Sequence, residues 1–318
     1  MTTRFDPELV VVFGGLLALL VTATVVGATL RRRVTAAGAR ATIENAWQRI
    51  VAWWGMCAVF AAVTAVGPLA STALFALLSF LALREFVTLT PTRLADHMTL
   101  VWCFFVILPL HYVFLAVGWY GMFAIFIPVY AFLFVPIRAA IAGDVEHFLE
   151  RTAKIQWGLM VAVYCISHAP ALLMLELPGG AGEGPKLLLW LVIVVQLSDV
   201  FQYLAGKTLG RHPVAPSVSP GKTWEGLVIG GLAATGVGAG LGFLTPYPPI
   251  VVAGMALLLV FLGFAGGLTM SAIKRDAGVK DWGSSLAGHG GVLDRIDSLC
   301  FSAPILFHLT RWMLGDGA

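Results

Sequence analysis

The chain has 318 residues, of which 59% are hydrophobic and only 12% are charged, with a formal net charge of +3. A soluble domain of this length carries roughly a quarter charged residues, so the composition excludes an ordinary soluble protein. Lipid must solvate much of the exterior instead, which indicates a membrane protein. The four cysteines lie far apart in apolar runs and show no spacing typical of a metal site, so we expect them to be core or lipid-facing residues.

Ten apolar runs are each about long enough to cross a bilayer, whose hydrocarbon core of about 30 Å requires about 20 helical residues. In chain order these runs lie at 8–30, 47–66, 69–89, 97–117, 119–137, 156–176, 187–206, 225–245, 249–268 and 298–314. The first run is too long for a signal peptide and lacks a clear cleavage site. The sequence therefore predicts an all-α, polytopic integral membrane protein with about ten transmembrane helices.

Basic residues are distributed unevenly between the two sides of this topology. With the N-terminus outside, every lysine and arginine except Arg4, Lys186 and Arg311 falls in or beside an inner connection. The positive-inside rule then identifies the inner side as cytoplasmic. The segments 207–224 and 271–297, which carry most of the candidate chemistry, both lie on this side.

We divide the chain into two regions at residue 155. Residues 1–155 contain the N-terminal transmembrane helices and a cytoplasmic amphipathic segment, and residues 156–318 form a C-terminal catalytic transmembrane domain. The amphipathic helix is predicted between 138 and 155, on the inner membrane surface, because apolar residues recur there at helical spacing among charged ones. These apolar residues are Ile141, Val145, Phe148 and Leu149.

The segment 271–297 concentrates acidic and basic residues that the rest of the chain avoids. Asp294 and Asp297 are three residues apart and share one face of a helix if the last helix begins near them. Two carboxylates on one face repel each other unless a cation joins them, and oxygen ligands beside phosphate suggest Mg²⁺. Asp281 would bring a third carboxylate to the same point.

The same segment offers groups suited to phosphate. Lys274, Arg275 and Arg295 supply the positive charge that phosphate oxygens prefer. Gly290 and Gly291 lack side chains, so their backbone N–H groups can approach a phosphate closely. His289 would bind phosphate or take part in proton transfer, although a lone loop histidine is more often structural.

Segment 207–224 and the end of the preceding helix add further candidates. Two Gly-Lys-Thr triplets occur there, but neither has the upstream glycine of a P-loop. Ser219, Lys222 and Thr223 instead lie at the start of the next helix, where hydroxyl and lysine donors favour a phosphate site. A basic cluster that contacts anionic lipid is the alternative. Asp199 lies within an apolar run, where an ionisable residue indicates a functional site.

These residues resemble the signature of the phosphatidate cytidylyltransferases, also called CDP-diacylglycerol synthases. Residues 271–297 follow the pattern S-x-I-K-R-x4-K-D-x-G-x2-L-A-x-H-G-G-V-x-D-R-I-D, and residues 219–226 follow S-P-x-K-T-x-E-G. Asp199, Tyr203 and Gly206 lie where the family carries an aspartate, an aromatic residue and a glycine. The sequence departs from the family pattern at Ala287, where proline is usual, and at Gln202, where a small residue is usual.

The resemblance implies an enzyme that converts CTP and phosphatidic acid into CDP-diacylglycerol and pyrophosphate. It implies that Mg²⁺, with a monovalent cation such as K⁺ beside it, is held by Asp199, Asp281, Asp294 and Asp297. The residues that it implies for the phosphates of CTP or lipid are Lys222, Lys274, Lys280, Arg275, Arg295, Ser219, Thr223, His289, Gly290 and Gly291, with Tyr203 beside the substrate.

The resemblance also implies the partners and the location of the protein. Its partners are CTP, phosphatidic acid and membrane lipids rather than nucleic acid, and a second copy of the chain in a homodimer. Its location is the inner (plasma) membrane of a bacterium, with the active site facing the cytoplasm. Two alternatives remain: a transporter or channel, and an enzyme that acts on another lipid phosphate or on a polyprenol.

Overall fold

The computed structural model of the protein describes residues 7–34, 37–90, 92–178, 180, 182–283 and 290–314. Within them the chain is helical almost throughout, and the strands β1 (Pro213–Ala215) and β2 (Ser219–Thr223) pair antiparallel. The helices are α1 (Pro7–Arg33), α2 (Ala37–Val66), α3 (Pro68–Leu89), α4 (Leu94–Ala116), α5 (Tyr120–Ile141), α6 (Phe148–Met174), α7 (Glu183–Leu209), α8 (Gly226–Gly240), α9 (Pro249–Asp276) and α10 (Leu293–Leu314).

Each of the ten predicted apolar runs corresponds to one of these helices. Within the described part of the chain, eight helices, α1 to α7 and α9, are long and apolar enough to cross a membrane. Helix α8 is a shorter apolar helix, and α10 carries Asp294, Arg295 and Asp297 within its first five residues. The prediction of an all-α polytopic membrane protein is therefore confirmed, with ten as an approximate number of spans.

Glycine and proline determine where several helices end or bend. Gly67, with φ of 131°, separates α2 from α3, and Pro68 occupies the first turn of α3, where a missing N–H costs nothing. Helices α4 and α5 contain π-helical turns at Cys103–Ile107 and Phe126–Ala131. A proline lies within or just after each of these turns, and it removes a helical hydrogen bond there.

The amphipathic surface helix predicted over 138–155 is wrong. Helix α5 ends at Ile141, a turn follows in which Gly143 and His147 have positive φ, and α6 then runs from Phe148 through the membrane region. Val145 lies in this turn, so residues 138–155 do not form one continuous helix. The helical spacing of apolar residues there comes from the end of one helix and the start of another.

Ion pairs between distant segments hold this turn, and no periodicity in the sequence reports them. The Arg151 guanidinium, whose side chain is 4% exposed, lies 3.3 Å from Asp96 and 3.0 Å from Asp144. Arg93 lies 2.8 Å from Asp144 and 2.6 Å from Glu146. The α3–α4 connection is thereby fixed to the α5–α6 connection on one side of the protein.

One hydrophobic core joins the helices of both sequence regions, from Val12 in α1 to Phe307 in α10. The division at residue 155 falls inside the continuous helix α6, and the assignment of catalysis to 156–318 stays a prediction. Helix α7 lies centrally and packs against α8, α9 and α10. Its buried Trp190 donates to the Gly238 carbonyl at 2.9 Å, which fixes α7 against α8.

Candidate active site

Two carboxylates from helices far apart in sequence meet on α7 and α10. Ser298 Oγ lies 2.5 Å from Asp199 Oδ2 and 3.2 Å from Asp297 Oδ1. The Ser298 backbone N–H also donates to Asp297 Oδ1 at 2.8 Å. A hydroxyl has one proton to donate, so this serine cannot neutralise two carboxylates. The pair therefore requires positive charge from elsewhere.

Lys222 on β2 supplies part of that charge. Its Nζ donates to the Phe264 carbonyl at 3.2 Å and lies 4.7 Å from the centre of the Phe264 ring on α9. Burial lowers the pKa of Lys222, while attraction by Asp199 and Asp297 opposes that shift. A Cβ at Gly267 would lie 2.7 Å from Nζ, so the glycine leaves room for the ammonium group.

A second aspartate and lysine pair lies one turn earlier on α10. Asp294 Oδ1 accepts from Lys274 Nζ at 2.7 Å, and both side chains are less than a tenth exposed. Asp294 Oδ2 accepts the backbone N–H groups of Trp282 at 2.8 Å and Gly291 at 2.9 Å. Asp294 therefore joins the end of α9, the start of α10 and the segment between them.

The backbone near Gly290 brings a further carboxylate close. Gly290 has φ of 78°, and a Cβ there would lie 2.7 Å from Asp294 Oδ2 and 3.5 Å from the Cβ of Asp281. Asp281 and Lys280 are exposed beside it. We predicted that the backbone N–H groups of Gly290 and Gly291 approach a phosphate. In the structure the Gly291 N–H instead donates to Asp294.

The β-hairpin that carries Lys222 is held through its backbone. Thr223 Oγ1 accepts the Gly226 N–H at 3.1 Å at the start of α8. Glu225 accepts the backbone N–H groups of Arg211 at 3.1 Å and His212 at 3.2 Å. The bond from Arg211, followed by the bond with the His212 side chain, lowers the pKa of Glu225 to about 2. Because its backbone is fixed at both ends, the hairpin can present Lys222 in one position.

Three more of the predicted site residues, Arg275, Arg295 and Tyr203, lie around the aspartates and lysines described above. Arg275 donates to the carbonyls of Val218 at 3.2 Å and Val279 at 2.8 Å, so it joins α9 to the hairpin. The carbonyl of Arg295 accepts from Gln196 at 3.1 Å. Tyr203 is 58% exposed, with Lys207 Nζ 5.8 Å from its ring, and lies outside the buried cluster.

Three further positions complete the set of candidates. Ser219 begins β2 and is partly exposed. Gln202, one of the two departures from the family pattern, is buried and donates to Ser198 at 2.6 Å within α7. His289 and Ala287 lie outside the described residues.

The described side chains can supply one or two carboxylate ligands to a metal ion, and they do not form a complete coordination shell. Among them, no three His, Cys, Asp or Glu side chains converge on one point. Mg²⁺ is usually held by one or two protein carboxylates together with substrate oxygens and water. Asp199 and Asp297 fit that requirement, because they are half-buried and share a single hydroxyl partner.

The sequence analysis missed Glu85 on α3 as part of the site. Glu85 is 6% exposed and accepts the backbone N–H groups of Val292 at 3.0 Å and Leu293 at 2.9 Å. An ionisable residue in an apolar helix was the available signal. Ser298 and Trp282 were missed too, since nothing in the sequence distinguishes them from ordinary neighbours of the aspartates.

Comparison with known proteins shows the family. The model of the cytidylyltransferase family matches residues 47–313. An uncharacterised protein of Escherichia coli (strain K12), YnbB, is 39% identical over 299 residues, which cover 93% of this chain and 96% of that protein.

Relatives that carry an enzyme name match over a shorter length. The phosphatidate cytidylyltransferase of Pseudomonas aeruginosa is 43% identical over 136 residues, 42% of this chain and 49% of that protein. The phosphatidate cytidylyltransferase of Mycobacterium leprae is 39% identical over 171 residues, 53% of each chain. The chain thus spans about half the length of these named relatives. With most of its length matched by the family model, the chain belongs to the cytidylyltransferase family.

Proposed function

We propose that this protein transfers the CMP group of CTP to phosphatidic acid, giving CDP-diacylglycerol and pyrophosphate. The observation that carries the proposal is the meeting of Asp199, Asp297 and Lys222 within the region matched by the family. The names of the partly matching relatives in Pseudomonas and Mycobacterium support the same reaction. As a member of this family, the protein is a nucleotidyltransferase.

The reaction requires little covalent help from the protein. A phosphate oxygen of phosphatidic acid attacks the α-phosphorus of CTP, and a new P–O bond forms as the bond between the α-phosphorus and the bridging oxygen breaks. Pyrophosphate leaves with the electron pair of that bond. A phosphate monoester is already ionised near neutral pH, so positioning and charge neutralisation are the main tasks of the site.

We assign the charge-neutralising role to Lys222. Its ammonium group lies in a partly buried setting, where a charge acts more strongly on phosphate oxygens than it would in water. Arg275 lies in the last turn of α9, Arg295 in the first turn of α10 and Lys280 in the segment between them, and all three would add contacts to the phosphates of CTP or of the lipid. Ser219 and Thr223 fix the hairpin and complete that side of the site.

Asp199 and Asp297 are the residues that we expect to hold Mg²⁺. When bound, Mg²⁺ would neutralise charge on the triphosphate of CTP, beside a monovalent cation if one is present. Asp281 lies near Gly290 in an exposed position and is the further carboxylate available to the metal. Asp294 supports this centre through its bonds to Lys274 and to the backbone.

We place the site on the cytoplasmic side of the inner membrane of a bacterium. The C-terminal parts of α3, α7 and α9 meet the N-terminal end of α10 there, so both candidate loops lie on one side of the protein. The basic residues of the inner connections fall on that same side, which supports the assignment through the positive-inside rule. CTP from the cytoplasm and a lipid headgroup would then reach the site together.

The test uses the purified full-length protein in phospholipid vesicles that contain phosphatidic acid. CTP labelled at the α-phosphorus should place label in the lipid fraction, with equimolar release of pyrophosphate, in the presence of Mg²⁺. CTP labelled at the γ-phosphorus should place none there. Label transferred from the γ-phosphorus to lipid, in vesicles with diacylglycerol or a polyprenol in place of phosphatidic acid, would indicate a kinase instead. If no CDP-lipid forms with any divalent metal, the proposal is wrong.

A further inference from the structure

Glu85 connects the N-terminal half of the protein to the start of the helix that carries Asp294 and Asp297. It lies on α3, and its two carboxylate oxygens accept separate backbone N–H groups, from Val292 to Oε1 at 3.0 Å and from Leu293 to Oε2 at 2.9 Å. Leu293 is the first residue of α10. The first N–H groups of a helix have no partner within that helix, and a carboxylate is a favourable acceptor at this end.

Glycines on both sides of the 284–289 segment leave the space that Glu85 occupies. A Cβ at Gly291 would overlap Glu85 Oε2, and a Cβ at Gly283 would lie 3.1 Å from Glu85 Oε1. The contact between a Cβ at Gly291 and Glu85 Oε2 would be closer than Cβ atoms come to their neighbours in proteins. The two glycines that flank residues 284–289 are therefore both close to the buried carboxylate of Glu85.

The residue next to Glu85 makes a second contact with the same region. Phe86 stacks on Trp282, with 5.2 Å between ring centroids and 22° between ring planes, and both rings are almost fully buried. The backbone N–H of Trp282 donates to Asp294. Consecutive residues of α3 thus hold the polypeptide at 282, 292 and 293, before and after the glycine-flanked segment.

We propose that Glu85 is a positioning residue for nucleotidyl transfer, which sets where the first turns of α10 place Asp294 and Asp297. The inference rests on the proposed function of the site. It also gives the N-terminal half a role, since a residue of α3 then controls the geometry of carboxylates more than 200 positions away in sequence. Glu85 acts through α10 and needs no contact with the substrate.

The main variant is Glu85→Gln, which keeps the shape of the side chain but replaces one acceptor oxygen by an NH₂ donor facing a backbone N–H. Losing a hydrogen bond to a charged group should reduce kcat by about tenfold to a hundredfold. We expect the Mg²⁺ concentration for half-maximal rate to rise about threefold or more, because Asp297 moves relative to Asp199. A smaller fraction of folded protein would reduce the rate but would leave that concentration unchanged.

Two matched controls separate positioning from general loss of structure. Arg84→Gln removes the exposed charge next to Glu85 on the same helix. Asp96→Asn weakens a buried ion pair with Arg151 in another part of the fold. Neither should change the Mg²⁺ dependence, although Asp96→Asn should lower the thermal unfolding midpoint.

A measurement without substrate or metal tests the hydrogen bonds from Val292 and Leu293 to Glu85 directly. In hydrogen–deuterium exchange with mass spectrometry, the peptide that includes Val292 and Leu293 should exchange about tenfold faster in Glu85→Gln than in wild type or in either control.

Gly291→Ala should also impair the enzyme, and should do so less in a Glu85→Ala background, since the Cβ then meets no carboxylate. Glu85→Asp, which keeps the charge but is one methylene shorter, undergoes the same tests if Glu85→Gln cannot be purified.

The possible outcomes distinguish this inference from the proposed function. If the wild type makes no CDP-lipid, the proposed function fails and the inference fails with it. If the wild type is active and the Glu85 variants match it in Mg²⁺ dependence and in exchange at 292 and 293, only the inference is overturned. A raised Mg²⁺ requirement together with faster exchange, absent from both controls, supports it.

Discussion

Asp294 and Asp297 lie three residues apart on α10, yet their surroundings differ. Asp294 has a lysine at 2.7 Å and two backbone N–H groups at its other oxygen. Asp297 shares the hydroxyl of Ser298 with Asp199, and the charges of Lys274 and Lys222 act on Asp297 at longer range. Protein donors already occupy both oxygens of Asp294, whereas Asp199 and Asp297 keep oxygen lone pairs that can bind a cation. Aspartates of one signature can therefore have different roles.

Asp297→Asn should cause the largest loss of activity. It removes one of two carboxylates that we expect to hold Mg²⁺, and the loss of one group that stabilises charge in a transition state commonly costs about a hundredfold to a thousandfold in rate. The initial rate of CDP-lipid formation measures this, with the thermal unfolding midpoint as a check on folding. The matched control is Asp276→Asn, an exposed aspartate at the end of α9, which should stay near wild-type activity. Near-wild-type turnover of Asp297→Asn would remove it from the site.

Lys222→Met should reduce kcat by about a hundredfold, because it keeps the length of the side chain but removes the charge beside the carboxylates. The pH profile gives a second measurement. Because burial lowers the pKa of Lys222, its ammonium loses its proton at a lower pH than an ordinary lysine. The wild-type rate should therefore fall at alkaline pH, below the pH at which an ordinary lysine loses its proton, and Lys222→Arg should keep its rate to higher pH. An identical alkaline limb in both proteins would contradict the assignment to Lys222.

Asp294→Asn should affect stability more than it affects the metal. It leaves the buried Lys274 ammonium without its partner, and breaking one side of a buried ion pair costs about 3–5 kcal/mol. We expect a lower unfolding midpoint and about tenfold lower activity, with the Mg²⁺ requirement little changed. The double variant Asp294→Asn with Lys274→Met should recover part of the lost stability. If Asp294→Asn instead raises the Mg²⁺ requirement without any loss of stability, the contrast with Asp297 is wrong.

The sequence predicted the helical membrane fold, because hydrophobic runs of about 20 residues report directly on the lipid environment. It also predicted the family, since the pattern around Asp281 and Asp294 has many specified positions and was confirmed by the match over residues 47–313. Asp199 was identified both from its position in an apolar helix and from the resemblance to the family. These inferences depend on local composition or spacing, which a single sequence displays.

Long-range pairing is what the sequence could not provide. Glu85 lies 207 residues before Val292, whose N–H it accepts, and nothing near either residue indicates the other. The turn around Asp144 was predicted as an amphipathic helix from its apolar spacing, because the residues that fix it from another segment, Arg93 and Asp96, lie about 50 positions earlier in the chain. Nor could spacing separate the roles of Asp294 and Asp297, because their partners lie on α7, α9 and β2.

Glu225→Gln should have the smallest effect and concerns how firmly Lys222 is held. Glu225 accepts two backbone N–H groups at the start of the hairpin, and a neutral glutamine accepts such bonds less strongly than a carboxylate does. We expect KM for CTP to rise about twofold to tenfold with kcat nearly unchanged, while Thr208→Ala, exposed on the last turn of α7, leaves both unchanged. Because hydrogen bonding lowers the pKa of Glu225 to about 2, its carboxylate is ionised at any assay pH, so the difference in KM should be constant between about pH 6 and 9. A difference that varied in this range would contradict the assignment to Glu225, whose carboxylate stays ionised there.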